Sequence, residues 1–186
     1  MKKYYLPAIA AMLAAQAAHA ATFAVTRGHV EGMIDISVAG SLEQGDGEIF
    51  ARIAERIPRG AGNVFFSSPG GSLDAGLAIG DIVRKRDFGT AVLYGDECSS
   101  ACAYAWLAGD PRALSSHSYV GFHAASLKDT GEVSSGGNAI IGAYLNELGF
   151  NRATIRYMTT PSPRSIQWLN VEDAQKYGIE IDIIEE

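Results

Sequence analysis

The sequence predicts an α/β domain in which a mostly parallel sheet is flanked by helices. Three observations carry that expectation. Short apolar segments of strand character alternate with segments of helical period, a pattern that calls for parallel strands joined by right-handed crossovers. Two turns rich in glycine and serine stand where a strand gives way to a helix: Ser68-Pro69-Gly70-Gly71, and Gly95-Asp96-Glu97 leading into Ser99-Ser100. The 186 residues, 47% hydrophobic and 19% charged, suffice for one core and do not require two.

The first twenty residues stand apart from the fold. Lys2 and Lys3 precede an apolar run over Leu6–Ala18, and Ala18-His19-Ala20 has the small-x-small form of a cleavage site. The expectation is a signal peptide over residues 1–20, cleavage before Ala21, and one exported domain over 21–186, periplasmic or secreted. The competing reading, an uncleaved anchor, is disfavoured because the run is alanine-rich and short for a span. Loss of the two lysines takes the formal charge from −6 to −8. An acidic domain without a Lys/Arg cluster is a poor partner for nucleic acid, and once the leader is removed no membrane partner is expected.

Along the mature chain, Phe23–Thr26 and Met33–Val38 read as strands joined by a glycine-containing turn. Gly45–Ile57 reads as an amphipathic helix, with Phe50, Ile53, Ala54 and Ile57 at helical spacing. Asn63–Ser67 is a short strand ending in the Ser-Pro-Gly-Gly turn. Leu73–Arg86 follows as a helix with Leu77, Ile79, Ile82 and Val83 facing inward. Thr90–Tyr94 reads as a buried strand, Ser99–Ala108 as an apolar helix and Tyr119–Ala124 as a further strand. Lys128–Asn138, polar and rich in Gly and Ser, reads as a mobile loop. Helices over Ala139–Leu148 and Asn151–Met158 precede a proline-punctuated loop. A helix over Val171–Tyr177, closed by Gly178 as a left-handed C-cap, leads to a last strand at Ile179–Ile184.

In open α/β sheets the carboxyl ends of the strands form the binding rim, so both turns are candidate sites. Gly70-Gly71 has no Cβ to keep the backbone from a substrate carbonyl. Ser100 would sit beside the Ala101 N–H, at a helix start where donors are free. Each turn also has a plain structural reading, as turn chemistry or as a helix cap. A serine needs a base. His19 leaves with the leader, His29 lies in a turn facing solvent, and His117 and His123 sit at opposite ends of one strand region. His123 occupies the carboxyl end, the rim position.

The stretch Phe66–Ser72 followed by Ala75-Gly76-Leu77-Ala78-Ile79 resembles the Ser-Pro-Gly-Gly-Ser and Ala-Gly-x-Ala-Ile block of Clp protease proteolytic subunits. Cys98–Gly109 is similar to that family's nucleophile helix, Gly121-Phe122-His123 falls at its histidine, and Leu169–Gly178 resembles its Glu-Ala-x-x-Tyr-Gly block. The likeness runs from about Asn63 to Asp182. It is nearer still to a periplasmic branch of that superfamily with a Cys-x-Ser-Ala-Cys motif. The resemblance implies a Clp protease/crotonase-like fold of repeated ββα units, with Ser100 as nucleophile and His123 as base. It also implies an oxyanion hole around Gly70, Gly71 and Ala101, and a ring-forming homo-oligomer, although the family's N-terminal ATPase-docking loops are not recognisable.

The family's third member is an acid, and Arg164–Leu169 contains no carboxylate. Ser165 or Asn170 are candidates for a neutral replacement. Glu172, Asp173 and Asp182 are acids that could substitute only after rearrangement, and Lys128 would make a serine–lysine dyad.

Cys98 and Cys102 are four apart, about 6 Å between Cα atoms on a helix, within reach of a disulfide. In an exported protein a bridge is favoured over two buried thiols, and it would stiffen the turn bearing Ser100. No metal site is expected, since no His or further Cys lies at ligand spacing. No cofactor is expected either. Three functions stand: a serine hydrolase of peptides or esters, a non-catalytic binding or assembly module lacking a complete triad, and a crotonase-type acyl-CoA enzyme. Export and the lack of a basic adenine site weigh against the third.

Overall fold

Alternating burial along Gly62–Ser67 (β3) and Ile34–Ala39 (β2) turns Ile36, Val38, Val64 and Phe66 into the core and fixes the register of the two strands. In the computed structural model, which describes residues 20–184, these two lie parallel, Ile36 beside Val64 and Val38 beside Phe66. Thr22–Arg27 (β1) closes one edge as the antiparallel hairpin partner of β2. On the other side Gly89–Val92 (β4), Arg112–Ser115 (β6) and Asp182–Ile184 (β9) add in parallel, giving a six-stranded sheet in the order β1-β2-β3-β4-β6-β9. Helices Asp46–Ala54 (α1), Leu73–Arg86 (α2) and Ala101–Trp106 (α3) pack in succession, α1 on α2 and α2 on α3. Ser135–Glu147 (α4), Arg152–Thr159 (α5) and Val171–Tyr177 (α6) are the remaining helices among the described residues. This is the α/β architecture that the alternation predicted. Of the predicted signal segment, residues 1–19 lie outside the described residues.

A second sheet, Glu97–Ser99 (β5), Tyr119–Phe122 (β7) and Gln167–Trp168 (β8), lies at the carboxyl end of the first. The two are stitched together by the tail of β3. Past Ser67 the chain leaves its own sheet, and Ser68 pairs with Cys98 while Gly71 pairs with Leu42.

Several local expectations need correction. Residues 97–99 form a strand where a turn ending at Glu97 and a helix starting at Ser99 were expected, because Ser68 and β7 offer parallel partners on its two sides. The short strands β6 and β8 were not foreseen. The stretch expected as a mobile loop is ordered by an antiparallel bridge between Ser126 and Val133, and α4 already begins at Ser135. Ser134 caps that helix by accepting from the Gly137 N–H at 3.1 Å. Gly137 is small because Ala125 lies against it: a Cβ there would come within 2.6 Å of the Ala125 Cβ.

Helix α2 matches its predicted span. Ser72 caps its start by accepting from the Ala75 N–H, and three basic residues fill its last turn. Gly76 brings α2 onto the start of α3, since a Cβ would overlap the Ala101 carbonyl oxygen. Gly76→Ala is therefore expected to lower the unfolding free energy by about 1–3 kcal/mol, read by chemical denaturation.

Candidate functional site

The β3 tail and the β5–α3 junction run side by side. The Ser68 N–H donates to the Glu97 carbonyl at 2.6 Å and the Ser99 N–H donates to the Ser68 carbonyl at 3.1 Å. A Cβ on Gly70 would stand 2.5 Å from the Ser99 oxygen and 2.9 Å from the Ala101 nitrogen, so only glycine lets the tail pass this close. At Gly71 (φ 137°) a Cβ would overlap the Leu42 carbonyl oxygen. The Leu42 N–H donates to Gly70 O, and the Ser72 N–H to Leu42 O, each at 2.7 Å. In a parallel ladder that pattern turns the N–H of the intervening residue, Gly71, to the opposite side.

Ser100 occupies the N-cap position of α3 with φ 57° and ψ −125°, and its side chain makes no capping bond. A side-chain-bearing residue at positive φ is held there against a cost of about 1–3 kcal/mol. Several ties hold this one. The Ser100 N–H donates to Gly121 O on β7 at 2.8 Å, and the Ala103 N–H donates to Ser100 O at 3.0 Å. A disulfide joins Cys98 to Cys102 across the turn, with Cα atoms 5.2 Å apart. The pairing expected from spacing is present, but its geometry differs: Cys98 belongs to β5 and Cys102 to α3, so the bridge spans a strand-to-helix elbow rather than one helical turn. Both cysteines are fully buried, whereas Ser100 is half-buried.

Ser100, Ala101, Gly71 and His123 line one cavity of about 480 Å3, together with Leu42, Leu73, Tyr104 and Ile141, and with Lys128 among its polar residues. The structure thus brings Gly71, Ser100 and Ala101 from the two turns together with the rim histidine; Gly70, expected at the oxyanion hole, does not line the cavity, and its N–H donates to the Ser68 hydroxyl at 3.1 Å. The structure does not bring in His29 or His117. The first is exposed between β1 and β2, and the second lies against Tyr94, with its Nδ1 2.9 Å from the Ser116 hydroxyl.

The His123 Nδ1 lies 2.7 Å from the carbonyl oxygen of Ala124. A carbonyl oxygen only accepts, so the proton of the neutral ring sits on Nδ1 and Nε2 carries the free lone pair. Ser165 and Asn170, the candidates for a third member, are engaged elsewhere. The Ser165 hydroxyl donates to Ser162 O at 3.3 Å, and Asn170 caps α6 by accepting from the Asp173 N–H at 2.7 Å. Asp173 accepts from the Tyr157 hydroxyl at 3.1 Å and Asp182 lies on β9.

Two residues that bond the backbone at and beyond His123 went unnoticed in the sequence. The Tyr104 hydroxyl, one turn along α3 from Ser100, donates to the His123 carbonyl at 3.0 Å. Burial pushes this phenol well above its ordinary value, which keeps it a neutral donor. Asn138, in the first turn of α4, accepts the Ala125 N–H on Oδ1 at 2.8 Å. A buried tyrosine hydroxyl usually finds a partner, and that tendency was the available signal for Tyr104.

No family model and no curated protein matches the chain. Solved structures do match. ClpP1 from Listeria monocytogenes superposes with a TM-score of 0.59 and 20% identity, over 82% of this chain and 91% of its own. The chain has a Clp protease-like fold. An Asn-to-Asp variant of the same Listeria protein gives a TM-score of 0.60 with 20% identity over 82% and 91% of the two chains. A Ser-to-Ala variant of the 1510-N membrane-bound stomatin-specific protease gives 0.59 with 16% identity over 81% and 78%. At these identities the likeness establishes the Clp protease-like fold and leaves activity to the site.

Two tests follow from the elbow. Thiol titration in denaturant is expected to find no free thiols before reduction and two after it. Cys98→Ala combined with Cys102→Ala is expected to lower stability by about 2 kcal/mol, the chain-entropy value for so short a loop, read by thermal or chemical unfolding.

Proposed function

We propose that the chain is an exported serine hydrolase that cleaves peptide or ester bonds through an acyl-enzyme. One observation carries this reading: Ser100 is held in a strained positive-φ turn, half-buried in the cavity that His123 and Gly71 also line. A nucleophile on a sharp strand-to-helix turn is exposed to substrate, with the next residue's N–H beside it. In this reading His123 Nε2 takes the proton from Ser100 Oγ as the oxygen attacks the substrate carbonyl. The N–H groups of Gly71 and Ala101 receive the oxyanion. His123 then returns the proton to the leaving group, and water releases the acyl group by the same route in reverse.

Export is supported by the leader pattern and by the buried disulfide, which persists in an oxidising compartment. Cleavage before Ala21 leaves β1, which begins at Thr22, intact. Association of copies belongs to the same reading, and light scattering of the purified protein reports it.

A fluorophosphonate probe is expected to label the purified protein, and Ser100→Ala to abolish labelling. His123→Ala is expected to slow it by roughly 10²–10⁴-fold. A folded wild-type protein that takes no label at neutral or alkaline pH would replace this reading with the non-catalytic binding module. Intact mass of protein recovered from the exporting cell is expected to start at Ala21.

A further inference from the structure

A histidine base ordinarily leans on a carboxylate that fixes its ring and tautomer. Here the Nδ1 bond goes to main chain, and the main chain around it is clamped. Two consecutive peptide groups are involved. In the first, the His123 carbonyl accepts from the Tyr104 hydroxyl at 3.0 Å and the Ala124 N–H donates to Pro161 O at 2.8 Å, so both ends are tied. In the second, the Ala125 N–H donates to Asn138 Oδ1 at 2.8 Å and the Ala124 carbonyl accepts from His123 Nδ1 at 2.7 Å. A peptide whose N–H is already bonded is polarised, and its carbonyl becomes a better acceptor. The Ser134 N–H adds a bond to Ala125 O at 2.7 Å.

We infer that the Ala124 carbonyl serves as the third member of the site, and that Tyr104 and Asn138 are positioning residues that hold it for His123. The inference rests on the reading of His123 as the base of a serine hydrolase. A neutral carbonyl orients the imidazole and selects the tautomer with Nε2 free, but it supplies no negative charge to stabilise the imidazolium. The division of labour is specific. Tyr104 comes from α3, the helix capped by Ser100, so nucleophile and base are referenced to the same six-residue element. Asn138 comes from α4, which Ser134 starts in register with Ala125.

The test has two arms on the full mature chain. In the resting protein, nitrogen-15 NMR of the histidines is expected to show His123 protonated on Nδ1 and free on Nε2. The Nδ1–H signal should weaken or broaden in Tyr104→Phe and in Asn138→Ala. In the second arm the fluorophosphonate inactivation rate at saturation is separated from the probe's half-saturating concentration. Tyr104→Phe and Asn138→Ala are expected to lower the rate roughly ten- to hundredfold, with half-saturation unchanged, since a small misplacement of the base acts on the chemical step. Asn138→Asp keeps an acceptor for the Ala125 N–H and is expected to restore most of the rate.

Thr154→Val is the control. It removes another buried hydroxyl, which donates to Tyr177 O at 2.6 Å outside the cavity, and it should lower Tm without changing the rate. A proton on Nε2 in the wild type overturns the inference. So do rates in Tyr104→Phe and Asn138→Ala that follow Tm alone, as in the control. If the folded wild type takes no label, the hydrolase reading falls. The NMR arm then decides the orientation by itself.

Discussion

Ser68 donates to Glu97 O and accepts from the Ser99 N–H, and this short parallel ladder carries β3 beyond the end of its own sheet. The rest of the pocket depends on that passage. It sets Gly70 against the Ala101 nitrogen, and it places Gly71 where Leu42 can take up the carbonyl before it and the N–H after it. A side chain at Gly70 would push the tail away from the β5–α3 turn, and one at Gly71 would push it off Leu42. The cavity is therefore a consequence of close backbone approach first and of side-chain chemistry second.

Ser100 and His123 are both restrained against relaxation, by different means. Ser100 is kept at positive φ by main-chain bonds on either side and by a covalent tie across the elbow. His123 stands just past β7 and is restrained through the peptides that follow it, by groups from α3, from α4 and from Pro161. Strain at a pocket persists only where surrounding contacts overdetermine it, and the density of ties here meets that condition. Helix α3 takes part twice, since Ser100 stands at its N-cap and its interior Tyr104 reaches the histidine backbone.

Helices α2 and α6 were legible in the sequence because their stop and start signals are local: Ser72 and Asn170 cap them, and Gly178 closes α6 at φ 66°. Strands β5, β6 and β8 were not, because two to four residues take strand form only when a partner lies beside them, and the partner is far along the chain. The glycines at 136 and 137 suggested a loop, whereas one of them makes room for Ala125 at the start of a helix. Within the site, Ser100, Gly71 and His123 could be read from turn chemistry and rim position. The Ala124 carbonyl could not, because a main-chain oxygen has no sequence signature. Tyr104 lay within a segment that read only as an apolar helix, and its ring is part of the core.

The elbow disulfide bears on how the chain matures. With two cysteines there is a single intramolecular connectivity, so oxidation has no wrong pairing to undo within one molecule. Their separation of four residues lets them meet while the chain is still unfolded, whereas His123 reaches the pocket only after distant strands have paired. Covalent closure can thus come before tertiary assembly during biogenesis. The nascent chain would then enter folding with this elbow already drawn together.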